Sequence, residues 1–286
     1  MSVVHLNGEF MPLEEAKVPV LDRGFIYGDG VYELVPVYAG RPLRLKEHLA
    51  RLQRSLDAIR LANPHSETRW TALISEMIAR NGGGDIYVYF QITRGVAKRD
   101  HAFPKDTPQT IFMMASPLPT PPPEQIENGI ACVTMQDNRW LRCDIKAISL
   151  LGNVLLRQAA LDAGGAEAVM FRDGFLTEGS ASNILVARNG KLLAPPKDHL
   201  ILPGITYDLV LELDAKYGVP FEVREISELE VRTADELMLT SSIKEVLAIT
   251  TLDGKPVGNG KPGPIFRQLH KLYQEYKARL TDEVTA

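Results

Sequence analysis

Residues 139–153 read Arg-Trp-Leu-Arg-Cys-Asp-Ile-Lys-Ala-Ile-Ser-Leu-Leu-Gly-Asn. Lys146 stands directly before an apolar run at helical spacing (Leu150, Leu151, Val154, Leu155) and after a short hydrophobic stretch, 130–135. A lysine among apolar neighbours, flanked by Arg139 and Arg142, is pressed to give up its proton, because desolvation and like charge both disfavour an ammonium. The neutral amine attacks carbonyls and forms a Schiff base. Taken alone, Lys146 reads as a surface lysine at a helix start. A second stretch, 176–183, reads Leu-Thr-Glu-Gly-Ser-Ala-Ser-Asn and is expected to set Glu178 and small hydroxyl residues in a turn after a strand.

The bulk properties limit what such residues can serve. A chain of 286 residues can bury a full core and fits one large or two medium domains. A net charge of -4, without a Lys/Arg block, argues against nucleic-acid or acidic-membrane partners. Cys132 and Cys143 are too few for a disulfide framework, and no Cys/His spacing suggests a metal site; both read as buried core thiols. The first residues do not read as a signal peptide, and no apolar run approaches a membrane span, so a cytoplasmic protein is expected.

The elements that must position these groups follow from pattern. Asn7-Gly8 between short apolar segments predicts a hairpin. Gly28-Asp29-Gly30 forms a tight loop entering a strand over 33–38. The two glycines are a weak phosphate-loop signal, since no helix pattern follows at once. Leu45, Leu49, Leu52, Leu56 and Ile59 recur at helical spacing, with Arg51 beside their stripe as a snorkelling or paired charge. A second helix is expected over 67–80, ending at Gly82-Gly83-Gly84, then strands over 85–93 and 110–115, with a polar loop between them that carries Arg94, Arg99 and His101.

Five prolines between Ser116 and Glu124 mark a linker, dividing a small N-terminal domain (1–117) from a larger one (125–286) across 118–124. Beyond it, strands are expected at 130–135, 166–172, 184–187 and 236–240. Helices are expected to about 163, from Pro203-Gly204-Ile205-Thr206 to 217, and over 264–280. Hairpin turns interspersed with helices predict a mixed, antiparallel-rich α+β fold rather than a βαβ repeat.

The Lys146 and Glu178 stretches, with the order of the motifs between Asn7-Gly8 and the last helix, resemble the fold-type IV pyridoxal-phosphate aminotransferases, most of all the D-amino acid aminotransferase branch. The resemblance implies a two-domain fold with pyridoxal 5'-phosphate between the domains, and a homodimer. Lys146 would hold the cofactor as a Schiff base and then carry the proton from the substrate Cα. Glu178 would keep the ring nitrogen protonated, so that the ring acts as the electron sink.

Arg51, the helix start at Gly204, Ile205 and Thr206, and the hydroxyls of Ser241 and Ser242 would take the phosphate. Leu202 would lie against the ring; Ser180 and Ser182 read as supporting turn residues. Tyr32, Arg99 and His101 would trap the substrate α-carboxylate, the Arg-x-His pair arriving from the neighbouring subunit. Lys98 and Asp100 add charge there, with Asp100 placed to pair with Arg99. The implied reaction is ping-pong transfer of the amino group of D-amino acids to 2-oxo acids through pyridoxamine phosphate. Branched-chain L-amino acid transamination, R-selective amine transamination and an aminodeoxychorismate lyase activity are the rival readings on the same fold.

Overall fold

In the computed structural model, which describes residues 2–218 and 220–282, two compact units are each built on a sheet. The first comprises chiefly Met1–Leu118 and Ile145–Leu150; the second comprises Pro119–Asp144 and Leu151–Arg279. Both are α+β.

The first unit contains strands β1 (Val3–Leu6), β2 (Glu9–Pro12), β3 (Gly30–Tyr38), β4 (Arg41–Pro42), β5 (Ile86–Thr93) and β6 (Thr110–Pro117), ordered β2-β1-β6-β5-β3-β4. Three helices accompany them: α1 (Arg23–Tyr27), α2 (Leu45–Ala58) and α3 (Glu67–Arg80). Asn7 and Gly8 take the positive φ values that the β1–β2 hairpin requires. The apolar stripes of α2 (Leu49, Leu52, Leu56) and α3 (Trp70, Leu73, Ile74, Met77) pack with Val31, Val35, Val88, Phe90 and Ile92. Ile145 and Ala147 complete this core, because residues 145–150 run beside the start of β3. Tyr32 N–H donates to the Lys146 carbonyl (3.0 Å) and Ile148 N–H to the Gly30 carbonyl (3.1 Å).

The second unit holds α4 (Pro123–Asn128), β7 (Ile130–Gln136), α5 (Leu151–Asp162), β8 (Ala168–Arg172), β9 (Phe175–Gly179), β10 (Asn183–Arg188), β11 (Lys191–Ala194), α6 (Ile205–Tyr217), β12 (Phe221–Val223), α7 (Glu228–Arg232), β13 (Glu236–Ser241), β14 (Glu245–Leu252), β15 (Lys255–Pro256) and α8 (Pro264–Asp282). Its sheet runs β12-β11-β10-β13-β14-β7-β8-β9, with β15 on β14. Among these, β12, α4 and α7 lie outside the expected set, while turns at Asn189-Gly190 and Asp253-Gly254 join β10 to β11 and β14 to β15 as hairpins. Glu178, expected in a turn, lies inside β9: Gly179 pairs with Val169, so the ladder continues past the glutamate. The apolar run of α5 also departs from expectation, since Leu151, Val154 and Leu155 are largely exposed while Leu156 and Ala160 are buried. Among the described residues, no helix is long and apolar enough to cross a membrane, and no cluster of side chains could hold a metal ion.

Candidate active site

In the first unit Lys146 is half-buried. Its backbone is fixed at both ends: its N–H donates to Ser55 Oγ (3.2 Å) and its carbonyl accepts from Tyr32. Its Nζ lies 4.3 Å from the centroid of the Tyr32 ring, so an amine is presented over an aromatic face. That ring in turn lies 5.5 Å from Tyr89. The structure therefore brings Lys146 and Tyr32 together.

Four residues before Ser55 on α2, Arg51 is buried against Glu33 of β3. Its Nε donates to Glu33 Oε1 (2.7 Å) and its Nη2 to Oε2 (2.9 Å), while His48 Nδ1 lies 2.8 Å from the same Oε2. Burial alone would raise the Glu33 carboxyl, but Arg51 and His48 outweigh it and hold the group well below the carboxylate range. Burial lowers the His48 imidazole against the pull of Glu33, so Nδ1 carries the proton that Glu33 accepts. Part of the charge of Arg51 is thus already answered by Glu33.

Arg99 and His101 are exposed on the loop between β5 and β6. The Arg99 guanidinium lies 5.5 Å from the Tyr27 ring centroid, and the His101 ring lies 5.4 Å from it. They gather on Tyr27, whereas Tyr32 stands with Lys146. Asp100 Oδ1 accepts from Ala102 N–H (3.1 Å), turning the loop locally, in place of the expected pairing with Arg99.

In the second unit Glu178 is buried. Oε1 accepts from Arg139 Nη1 (2.7 Å), and Oε2 from Leu202 N–H (3.0 Å) and Asn183 Nδ2 (3.2 Å). Burial pushes this carboxyl up to about 7, against the opposing pull of Arg139. Arg139 is itself gripped by Asp137, which also accepts from Thr177 Oγ1 and pairs with Arg172 at 3.0 Å. Burial would raise the Asp137 carboxyl, yet Arg139 prevails and holds it at about 2. The charge of Arg139 is thus taken up by Asp137 and Glu178, and that of Arg142 by Asp144 (2.9 Å).

Leu202, Gly204, Ile205 and Thr206 follow on one segment. Asn183 Nδ2 donates to the Leu202 carbonyl (2.9 Å), and a Cβ on Gly204 would collide with Asn183 Oδ1. Only glycine allows that approach. Gly204 caps α6 without a side chain, which leaves the first-turn N–H groups available to an anion. Asn183 is paired with Thr240 across β10 and β13, next to Ser241 and Ser242. Ser241 Oγ accepts from Lys244 N–H (2.9 Å), and the Thr240 hydroxyl is buried with no hydrogen-bond partner among the described residues. Ser180 and Ser182 both bond Glu167, a buried carboxylate that also meets Lys244 Nζ at 3.3 Å.

The sequence alone points to Arg139 only as a like charge near Lys146, not as a partner of Glu178, and gives no site role to Asn183, Glu33, His48 or Tyr27. Asn183 closes the very motif that carries Glu178 and bonds it five residues away, so the motif itself could have pointed to it; Glu33 adjoins Tyr32, but its partners His48 and Arg51 lie 15 and 18 residues along the chain, beyond what spacing reveals.

Each unit carries groups that suit a phosphorylated pyridine aldehyde: the first an amine over a ring, the second a helix start with a glycine approach and a buried carboxylate. A carboxylate offers about four acceptor sites; Glu178 accepts from Arg139, Leu202 and Asn183, which leaves room for a ring N–H.

Comparison with known proteins agrees with this donor set. The family described as amino-transferase class IV matches residues 30–252. The chain is 38% identical over 271 residues to a D-alanine aminotransferase of Bacillus licheniformis, covering 95% of each. It is 38% identical over 276 residues to one of Staphylococcus aureus, covering 96% of this chain and 98% of that protein. Among solved structures, a branched-chain amino acid aminotransferase of T.th., complexed with N-(5'-phosphopyridoxyl)-L-glutamate, superposes with a TM-score of 0.89 at 26% identity, covering 96% of this chain and 93% of that one. The branched-chain aminotransferase of Escherichia coli gives 0.89 at 25% identity, with 94% and 92% covered. By family match and by near full-length identity, this chain belongs to the class IV aminotransferases.

Proposed function

We propose that this enzyme moves the amino group of D-amino acids such as D-alanine to 2-oxo acids such as 2-oxoglutarate or pyruvate, with pyridoxal 5'-phosphate as cofactor, in two successive half-reactions. The observation that carries the reading is the gathering of Arg99 and His101 on Tyr27. A guanidinium and an imidazole on one exposed arm make a carboxylate trap, and the chain's curated relatives act on D-alanine by name. When bound, the cofactor supplies the carbonyl that takes up the amino group and the ring that draws electrons from the substrate Cα.

Lys146 Nζ would hold the cofactor covalently and, once displaced by the substrate amine, carry the proton away from Cα and back. Glu178 would hold a proton on the ring nitrogen, with Arg139 and Asn183 fixing its oxygens. Arg51, the first-turn N–H groups of Gly204, Ile205 and Thr206, and the hydroxyls of Ser241 and Ser242 would hold the phosphate, and Leu202 would cover the ring. Tyr32, Arg99 and His101 would bind the α-carboxylate. Fixing that group decides which Cα–H faces Lys146, and hence the configuration used.

Arg99 and His101 would serve the site of a second copy in a homodimer. The exposed Leu151, Val154 and Leu155 of α5, with exposed Trp140 and Leu141, give a second copy apolar surface to cover. In this reading 118–124 links domains 1–117 and 125–286, and the enzyme works in the cytoplasm.

The purified enzyme with D-alanine and 2-oxoglutarate should form pyruvate and D-glutamate, with L-leucine and R-configured amines turned over far more slowly. Faster turnover of L-leucine would replace this reading with the branched-chain one. Pyruvate formed from aminodeoxychorismate without any 2-oxo acid would replace it with a lyase.

A further inference from the structure

We infer that Arg23, Asp29, Arg94 and Tyr27 form a clamp that sets the arm bearing Arg99 and His101 before substrate arrives, making them positioning residues for α-carboxylate recognition. The inference rests on the reading of that arm as the carboxylate trap.

The arm is held from three sides. Arg23, buried at the first position of α1, donates through Nη1 to the carbonyls of Asp100 (2.5 Å) and Ala102 (3.3 Å), the two residues flanking His101. Arg94, buried at the end of β5, stacks its guanidinium 3.7 Å from the centroid of Phe103, the residue that follows Ala102. The Tyr27 ring carries the arm's functional side chains, and Arg23 itself lies 4.9 Å from the same ring. The Tyr27 hydroxyl is buried with no hydrogen-bond partner among the described residues. Its ring, rather than its oxygen, makes the platform.

Asp29 joins the two arginines. Its carboxylate accepts from Arg23 Nε (2.7 Å) and from Arg94 Nε (2.9 Å). Its backbone donates to the Arg23 carbonyl and accepts from Arg94 N–H. Arg94 also donates to the carbonyls of Ile59 (2.8 Å) and Arg60 (3.3 Å) at the end of α2. Burial would raise the Asp29 carboxyl, but Arg94 and Arg23 overcome this and keep it charged. The next residue, Gly30, opens β3 and accepts from Ile148 N–H, on the segment that contains Lys146. The arm is therefore tied to the strand that holds the reactive lysine. Ordering an exposed arginine and histidine on binding would cost affinity; a preset arm avoids that cost.

The test compares KM and kcat for D-alanine in the holoenzyme and in four variants: R23K, Y27L, Y27F and F103L, with R99A as reference. Lysine keeps the charge facing Asp29 but cannot reach two carbonyls. R23K and Y27L should each raise KM about tenfold or more while kcat changes less than about threefold, since they misplace binding groups and leave the reacting atoms alone. Y27F should match wild type, because the ring is retained, and the cofactor absorbance should be unchanged throughout. Phe103 is half exposed, so F103L folds even if R23K does not, and it should raise KM in the same sense. KM within about twofold of wild type in Y27L and F103L, with R99A still raising it, would overturn the clamp. An unchanged KM in R99A itself would instead overturn the carboxylate-trap reading, and the clamp's role with it.

Discussion

Three N–H donors converge on the two oxygens of Glu178, and Arg139, Leu202 and Asn183 supply them. They lock the carboxylate's orientation while burial raises its proton affinity; in the proposed function this is the group that would share a proton with the ring nitrogen. Glu178→Gln keeps the shape and removes the charge; turnover should fall on the order of a hundredfold or more, a loss of the size seen when a preorganised electrostatic partner is removed. Near-normal turnover would show that the glutamate does not face the ring.

A second buried carboxylate has the opposite character. Asp214 in α6 has neither oxygen hydrogen-bonded among the described residues, and burial pushes it up to about 7 from 3.8. The folded protein keeps this proton up to about pH 7, whereas the unfolded chain releases it near 3.8. Folding stability therefore declines as pH rises through that window. Asp214→Asn should raise the melting temperature above about pH 7 and change it little near pH 4, as differential scanning calorimetry would record. An equal change at both pH values would mean the charge is not what matters.

Long, periodic elements were readable because their patterns are local. The α3 stripe and the residues of β5 each announce their period within a few turns or alternations, and α6 has its glycine at each end. β14 has no such signature: Val246, Leu247, Ala248 and Ile249 are all buried, and β13 and β7 pair on either side of it. A strand covered on both faces loses alternation and reads as an ambiguous apolar run.

In α5 the helix was legible but its environment was not, since spacing fixes which residues share a face and not what covers that face. Among the proposed site residues, Lys146, Glu178 and Gly204 stand in local motifs that the sequence displays. The Arg139–Glu178 and Arg51–Glu33 pairs are long-range and could be seen only once the fold had brought them together. Helix α8 starts on such a long-range contact, with the Glu236 carboxylate accepting from Ile265 N–H (3.0 Å) and Phe266 N–H (2.9 Å). Glu236→Ala strips this cap and should cost about 1–2 kcal/mol, measurable by denaturant unfolding. No measurable change would mean that solvent serves the helix end equally well.

At the scale of the whole molecule, the reading has each active site completed by the arm of a second copy. At a D-alanine concentration well below the raised KM of Arg99→Ala, that variant and Lys146→Ala should each be nearly inactive. Refolded together, they should form about half mixed dimers, each with one wild-type site, and recover about a quarter of wild-type activity per subunit. No recovery, with mixed dimers shown to be present, would place Arg99 in the site of its own chain.

One spectrum tests the preference for D-amino acids most directly. The holoenzyme is mixed, without any 2-oxo acid, with D-alanine, L-alanine or L-leucine, and the absorbance of its bound cofactor is followed. D-alanine should convert the cofactor from its aldehyde to its amine form, with pyruvate released in proportion to the enzyme present, while L-alanine and L-leucine leave the spectrum nearly unchanged. Conversion by L-leucine or L-alanine with D-alanine inert would contradict the account.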